Sequence, residues 1–137
     1  MTFDVFLNFD GDCRAALEFY CGAFGQEMPA NIMTYDQSPM PMGEENKGRI
    51  MYCVLPIFGC NVMLSDCAAG APYVKGNNIA LTLGSSDKTQ IEKIYTILSE
   101  GGSVIMPLGQ TFFSELYGML TDKFGVIWQL SYDPPAG

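Results

Sequence analysis

In the stretch from Asp10 to Gly25 the apolar residues Cys13, Ala16, Leu17, Tyr20 and Phe24 fall at i, i+3, i+4, i+7 and i+11. That spacing predicts an amphipathic helix with one buried stripe. Asp10 or Asp12 can cap its start, and Gly25 can take the left-handed position that ends it. Residues 3–9 are rich in aromatic and branched types and predict a preceding strand. A short edge strand over 32–35 follows, then a loop over 38–48 in which Pro39, Pro41, Gly43 and Gly48 disfavour regular structure. Residues 49–57 and Cys60–Asp66 are strand-like runs flanking Phe58-Gly59 and predict a hairpin, although Phe is an unusual turn residue. Residues 67–76 form a second loop.

The same order then recurs. A strand over 78–83 leads into a helix over 87–100, with Ile91, Ile94, Tyr95 and Leu98 on one stripe, Asp87 and Gln90 in capping-box spacing, and Gly101 as the stop. A strand over 104–108 and a closing hairpin complete the round. Asp12 to Tyr20 matches Asp87 to Tyr95, and Phe58-Gly59 before Leu64-Ser65 matches Phe124-Gly125 before Leu130-Ser131. The chain therefore predicts a single α+β domain of two βαβββ modules, over about 1–70 and 77–133. Each small sheet has a bare face. Two such faces curving together around a cavity, with the helices outside, make a ligand pocket the natural expectation.

Length and composition fit this picture: 137 residues at 48% apolar and 16% charged describe a folding chain of one-domain size. Seven basic against fifteen acidic residues give a formal charge of −8, which opposes binding to nucleic acid or anionic lipid. No apolar run has the length of a membrane helix and the N-terminus is acidic, so a cytoplasmic protein is expected.

The chain has no histidine, which removes the commonest general base, the commonest metal ligand and every Ser-His or Cys-His nucleophile. The five cysteines, Cys13, Cys21, Cys53, Cys60 and Cys67, include no C-x-x-C pair and read as buried reduced thiols. Among the carboxylates, Asp10 and Asp12 read as helix caps, Asp66 and Asp122 as hairpin-end residues, and Glu44-Glu45 as part of a solvated loop. Glu115, flanked by aromatics in FFSELYGML, is a candidate for a pocket mouth.

The phrases FLNFDGDCRAALEFYCGAFG, GRIMYCVL with NVMLSD, and YGMLTDKFGVIWQLSY resemble the PhnB-like branch of the glyoxalase, bleomycin-resistance and extradiol-dioxygenase (vicinal oxygen chelate) superfamily. The resemblance implies paired βαβββ modules, a homodimer and, in the superfamily's enzymes, a divalent metal that chelates vicinal oxygens. It places metal ligands, usually His and Glu, at the positions held here by Val5, Met63, Asn78 and Gln129. None of these is an imidazole or an anion, so no metal and no cofactor are expected.

Strand alternation puts Gln129 on a face with Ile127 and Ser131, opposite Trp128, and Met63 on a face with Asn61 and Ser65. A two-residue turn at Phe58-Gly59 sets Val54 opposite Met63 and Tyr52 opposite Ser65. The expected site is thus Tyr52, Met63, Asn78 and Gln129 around a small organic ligand, with no catalytic residue assigned. A metal-dependent lyase or dioxygenase-like enzyme, and an interaction subunit whose cavity is filled, are the alternatives.

Overall fold

The computed structural model describes residues 1–40 and 42–136; Pro41, one of the expected loop residues, lies outside them. The fold is α+β, with two compact units spanning Met1–Val74 and Lys75–Gly137. Each unit carries one helix and one four-stranded mixed sheet, ordered β1-β4-β3-β2 in the first and β5-β8-β7-β6 in the second.

In the first unit, β1 (Val5–Phe9) leads into α1 (Cys13–Phe24), followed by β2 (Met33–Thr34), β3 (Ile50–Ile57) and β4 (Cys60–Asp66). β4 lies parallel to β1 and antiparallel to β3, whose other edge carries the short β2. Between β2 and β3 the chain forms two 3-10 turns, Tyr35–Gln37 and Glu44–Asn46. The helix stripe is as the spacing requires: Cys13, Ala16, Leu17, Tyr20 and Phe24 are all buried. Gly25 ends the helix at φ 66°.

The start of α1 differs from expectation. Asp12 makes no side-chain capping bond. Instead, the buried Asp66 reaches across from the end of β4, and its Oδ1 accepts from the Gly11 and Cys13 amides at 2.8 and 3.0 Å. Its Oδ2 accepts from the Ile50 amide at 2.9 Å. One carboxylate thus ties helix start, β3 and β4 together, and burial is tolerated because three donors replace its water. Asp10 serves neither as a cap nor as a site and pairs with Arg49.

The β3–β4 turn has Phe58 at φ 47° and Gly59 at φ 84°, the paired left-handed residues of a tight two-residue hairpin. The Phe58 ring packs edge-on against Phe24 at 5.7 Å, which offsets the strain of a non-glycine residue there.

In the second unit, β5 (Ala80–Ser85) precedes α2 (Lys88–Ser99), then β6 (Ser103–Gly109), β7 (Tyr117–Thr121) and β8 (Ile127–Tyr132). β5 begins two residues later than the apolar pattern suggested, leaving Asn78 outside the sheet. Asp87 caps α2 through the Thr89 and Gln90 amides. The reciprocal half of the capping box is replaced by Ser85, whose hydroxyl donates to the Gln90 side-chain Oε1 at 2.7 Å and accepts from the Asp87 amide. Ile91, Ile94, Tyr95 and Leu98 face the sheet with Leu120, Trp128 and Leu130, all buried. At Gly118 any Cβ would sit 2.6 Å from the Tyr95 ring, so the helix seats only over glycine.

Asp122, at the β7–β8 hairpin end as expected, is buried; it accepts from the Phe124 and Val126 amides and from the Trp128 indole at 2.9 Å. Among the described residues no helix is long and apolar enough to cross a membrane.

Candidate functional site: two open sheet faces

Each sheet has a face turned away from its own helix. In the first unit the parallel register sets Phe6 beside Met63, and the hairpin sets Val54 on its other side. Tyr52 is paired with Met33 on β2. Side-chain alternation then collects Phe6, Met33, Tyr52, Val54 and Met63 on one surface. Phe6, Met33 and Tyr52 remain 45%, 46% and 41% exposed, against nothing above 7% for the strand residues Phe9, Cys53, Leu55, Val62 and Leu64 on the helix side. The Phe6 and Tyr52 rings stand 6.4 Å apart and tilted by 34°. Polar groups at one end of this face satisfy each other: the Ser65 hydroxyl donates to the Asn8 side-chain oxygen at 2.9 Å.

The open face of the second unit has a different chemistry. Gln129 lies between Thr82 on β5 and Met119 on β7, and Met106 follows beyond Met119. Tyr117, paired with Ser131, is the diagonal neighbour of Gln129, and its phenol donates to Gln129 Oε1 at 2.7 Å. Phe113 packs edge-on against the Tyr117 ring at 4.9 Å and fixes its direction.

Of the four expected site residues, Tyr52 and Met63 therefore share a face and Gln129 occupies the corresponding face of its own sheet, half-buried and opposite the buried Trp128. Asn78 is exposed in the bend before β5, with no strand register to aim it. Val5 pairs with the buried Val62 on the helix side of its sheet, so the β1 residue on the open face is Phe6. Two contributors escaped the sequence reading. Phe6 was available from the parity of Phe9, which must face the helix. Tyr117 was available by counting across the last hairpin from Gln129.

The donor chemistry does not fit a divalent metal. Met63 offers a thioether beside a phenyl ring, and the Gln129 carbonyl is already engaged by Tyr117. Among the described residues Asp66 is the sole charged strand residue, and its carboxylate bonds go to backbone amides at the helix start and on β3. Among the described residues no three His, Cys, Asp or Glu groups converge as a metal site requires.

The five thiols sit in different environments. The Cys53 thiol bonded to Cys13 drives Cys13 far above the usual thiol range, and burial raises Cys21. Burial, and then the bond to Asp10, raises Cys67, which is half-buried, while Cys60 is exposed at the β4 end of the hairpin; these two depart from the expectation of uniformly buried cysteines. Glu115, the candidate for a pocket mouth, pairs with Lys88 at 3.5 Å on the surface.

Comparison with known proteins gives this architecture a place. The family described as "Glyoxalase/Bleomycin resistance protein/Dioxygenase superfamily" matches residues 2–130. Protein PA1353 from Pseudomonas aeruginosa is 31% identical, with a TM-score of 0.88 over 98% of both chains. A PhnB protein from Bacillus cereus is 27% identical, with a TM-score of 0.83 over 97% of this chain and all of its own, 100%. Protein YjdN of Escherichia coli (strain K12) is 24% identical, covering 96% of this chain and 95% of its own. With repeat, sheet order and sequence in agreement, the chain belongs to the glyoxalase/bleomycin resistance/dioxygenase superfamily.

Proposed function

We propose that the protein binds a small, largely apolar, flat organic molecule on its open sheet faces and does so without a divalent metal. The observation that carries this reading is the face of Phe6, Met33, Tyr52, Val54 and Met63, an exposed aromatic and thioether surface with no charged side chain. Aromatic rings supply broad contact area, and methionines adapt to the outline of a ligand. The face lacks a carboxylate or imidazole to move a proton and lacks a donor set for a metal, so the reading is binding rather than catalysis of the superfamily's usual kind. On the second unit's own open face, Gln129 offers an amide to a polar group of a ligand bound there, and Asn78 contributes to that face only if ligand binding draws its bend toward the sheet.

The protein acts in the cytoplasm as a homodimer in this reading. The dimer is supported by the exposed apolar run Val104, Ile105 and Met106 on the edge strand β6, which association would cover.

A thermal-shift screen of uncharged aromatic compounds, on protein purified without added metal, tests the proposal. Hits are expected that raise Tm and that vanish in the Phe6→Ser, Tyr52→Ser double variant. Hits that appear only after adding Zn, Ni, Fe or Mn would overturn it, as would hits indifferent to the double variant. Sedimentation should give a particle of twice the 15.0 kDa chain mass.

A further inference from the structure

We infer that Tyr117 sets Gln129 as a hydrogen-bond donor, so that the second open face selects ligands carrying an oxygen acceptor such as a carbonyl; this rests on the binding function proposed above. The amide of Gln129 has one acceptor oxygen and one NH2 group. Its oxygen is taken by the Tyr117 hydroxyl at 2.7 Å. The Tyr117 ring is itself held by Phe113, edge-on at 4.9 Å, so the phenol is a fixed partner rather than a swinging one. With the oxygen engaged, the amide rotor has one orientation, and its NH2 is the group left to meet a ligand.

The surroundings sharpen this selection. The neighbours of Gln129 across the sheet are Thr82 and Met119, and no strand residue near it bears a charge that could bind a cationic or anionic ligand group as an ion pair. A half-buried amide NH2 beside a thioether discriminates by whether its hydrogens are accepted, since a ligand without an acceptor strips them of water and returns nothing. Tyr117 is therefore a positioning residue: it acts on ligand choice through Gln129.

Three bicyclic probes of similar shape test the inference: indane, with no hydrogen-bonding group, 1-indanone, with a carbonyl acceptor, and indole, with an N–H donor. Dissociation constants are measured by NMR titration of 15N-labelled protein, following the Gln129 side-chain NH2 signals, which are identified by their loss in Gln129→Leu. The expected result is that 1-indanone binds about fivefold more tightly than indane, the equivalent of one net hydrogen bond, and moves the Gln129 NH2 signals. In Tyr117→Phe, which keeps the ring against Phe113, that preference falls toward unity and the NH2 signals shift even without ligand. A loss of folding alone would not produce this ratio change, and the wild-type ratio stands without any variant. Equal binding of indane and 1-indanone, or a preference for indole, overturns the inference while leaving the binding function standing. If none of the three binds at millimolar concentration, the binding function and the inference fall together.

Discussion

The open faces of the two sheets share a topology and differ in chemistry. The first presents Phe6, Tyr52, Met33 and Met63; the second presents Thr82, Gln129, Tyr117 and Ser131 around Met119. Their helix sides are alike: each buries a stripe of apolar residues, and each unit contains one buried carboxylate that gathers backbone amides, Asp66 in the first and Asp122 in the second. The repeat thus keeps what folding needs and varies what a ligand would touch. A surface free of folding duties is where two copies of one module can take up different tasks.

The contrast between faces can be broken most forcefully at neighbouring residues of β4. Leu64→Ala, on the helix side and fully buried, is expected to cost about 2–5 kcal/mol in urea unfolding. Met63→Ala, one residue away on the open face, should cost about 1 kcal/mol or less, because its side chain is only partly removed from water. Equal costs would mean that the two faces are buried alike.

The likeness of the helix sides can be sharpened next. Asp66→Asn and Asp122→Asn should each lose about 1–3 kcal/mol, since an amide NH2 replaces one of the two oxygens that accept in the wild-type structure. Asp122→Asn should also alter Trp128 fluorescence, because the indole N–H donates to that carboxylate.

A smaller effect is expected on the open face itself. Tyr52→Ala should weaken indane binding about tenfold through loss of aromatic contact, with little change in Tm. The smallest concerns pH. The Arg49 guanidinium beside Asp10 holds its carboxyl below the ordinary carboxylate range, so the pair's contribution is complete above about pH 4 and is lost as the pH falls through the lowered value. Asp10→Asn should therefore flatten the stability profile only on that acid limb, and slightly, since Asp10 is exposed.

Much of the fold was legible because it rests on periodicity. The helix stripes and the Phe58-Gly59 turn follow from local pattern, and the two-module repeat follows from their recurrence. The role of Asp66 was not legible, because a carboxylate at the end of β4 caps a helix some fifty residues earlier, a contact created by the parallel β1–β4 pairing. The same pairing decides that Phe6, not Val5, stands beside Met63, and no alternation rule within one strand reveals a parallel register. At Asn78 the apolar pattern overran the sheet by two residues, since a strand end depends on its partner and β8 supplies none before Ala80. Tyr52, Met63 and Gln129 were locatable because each lies in a hairpin whose turn fixes the count.

The central claim is that an apolar ligand occupies the first open face without a metal. It is tested most directly by methionine methyl NMR of the chelator-treated wild-type protein titrated with indane. The account predicts that the Met33 and Met63 methyl signals move together and saturate, while those of the exposed Met28 and Met40 stay in place. Unmoved Met33 and Met63 signals, or movement that requires an added divalent ion, would contradict it.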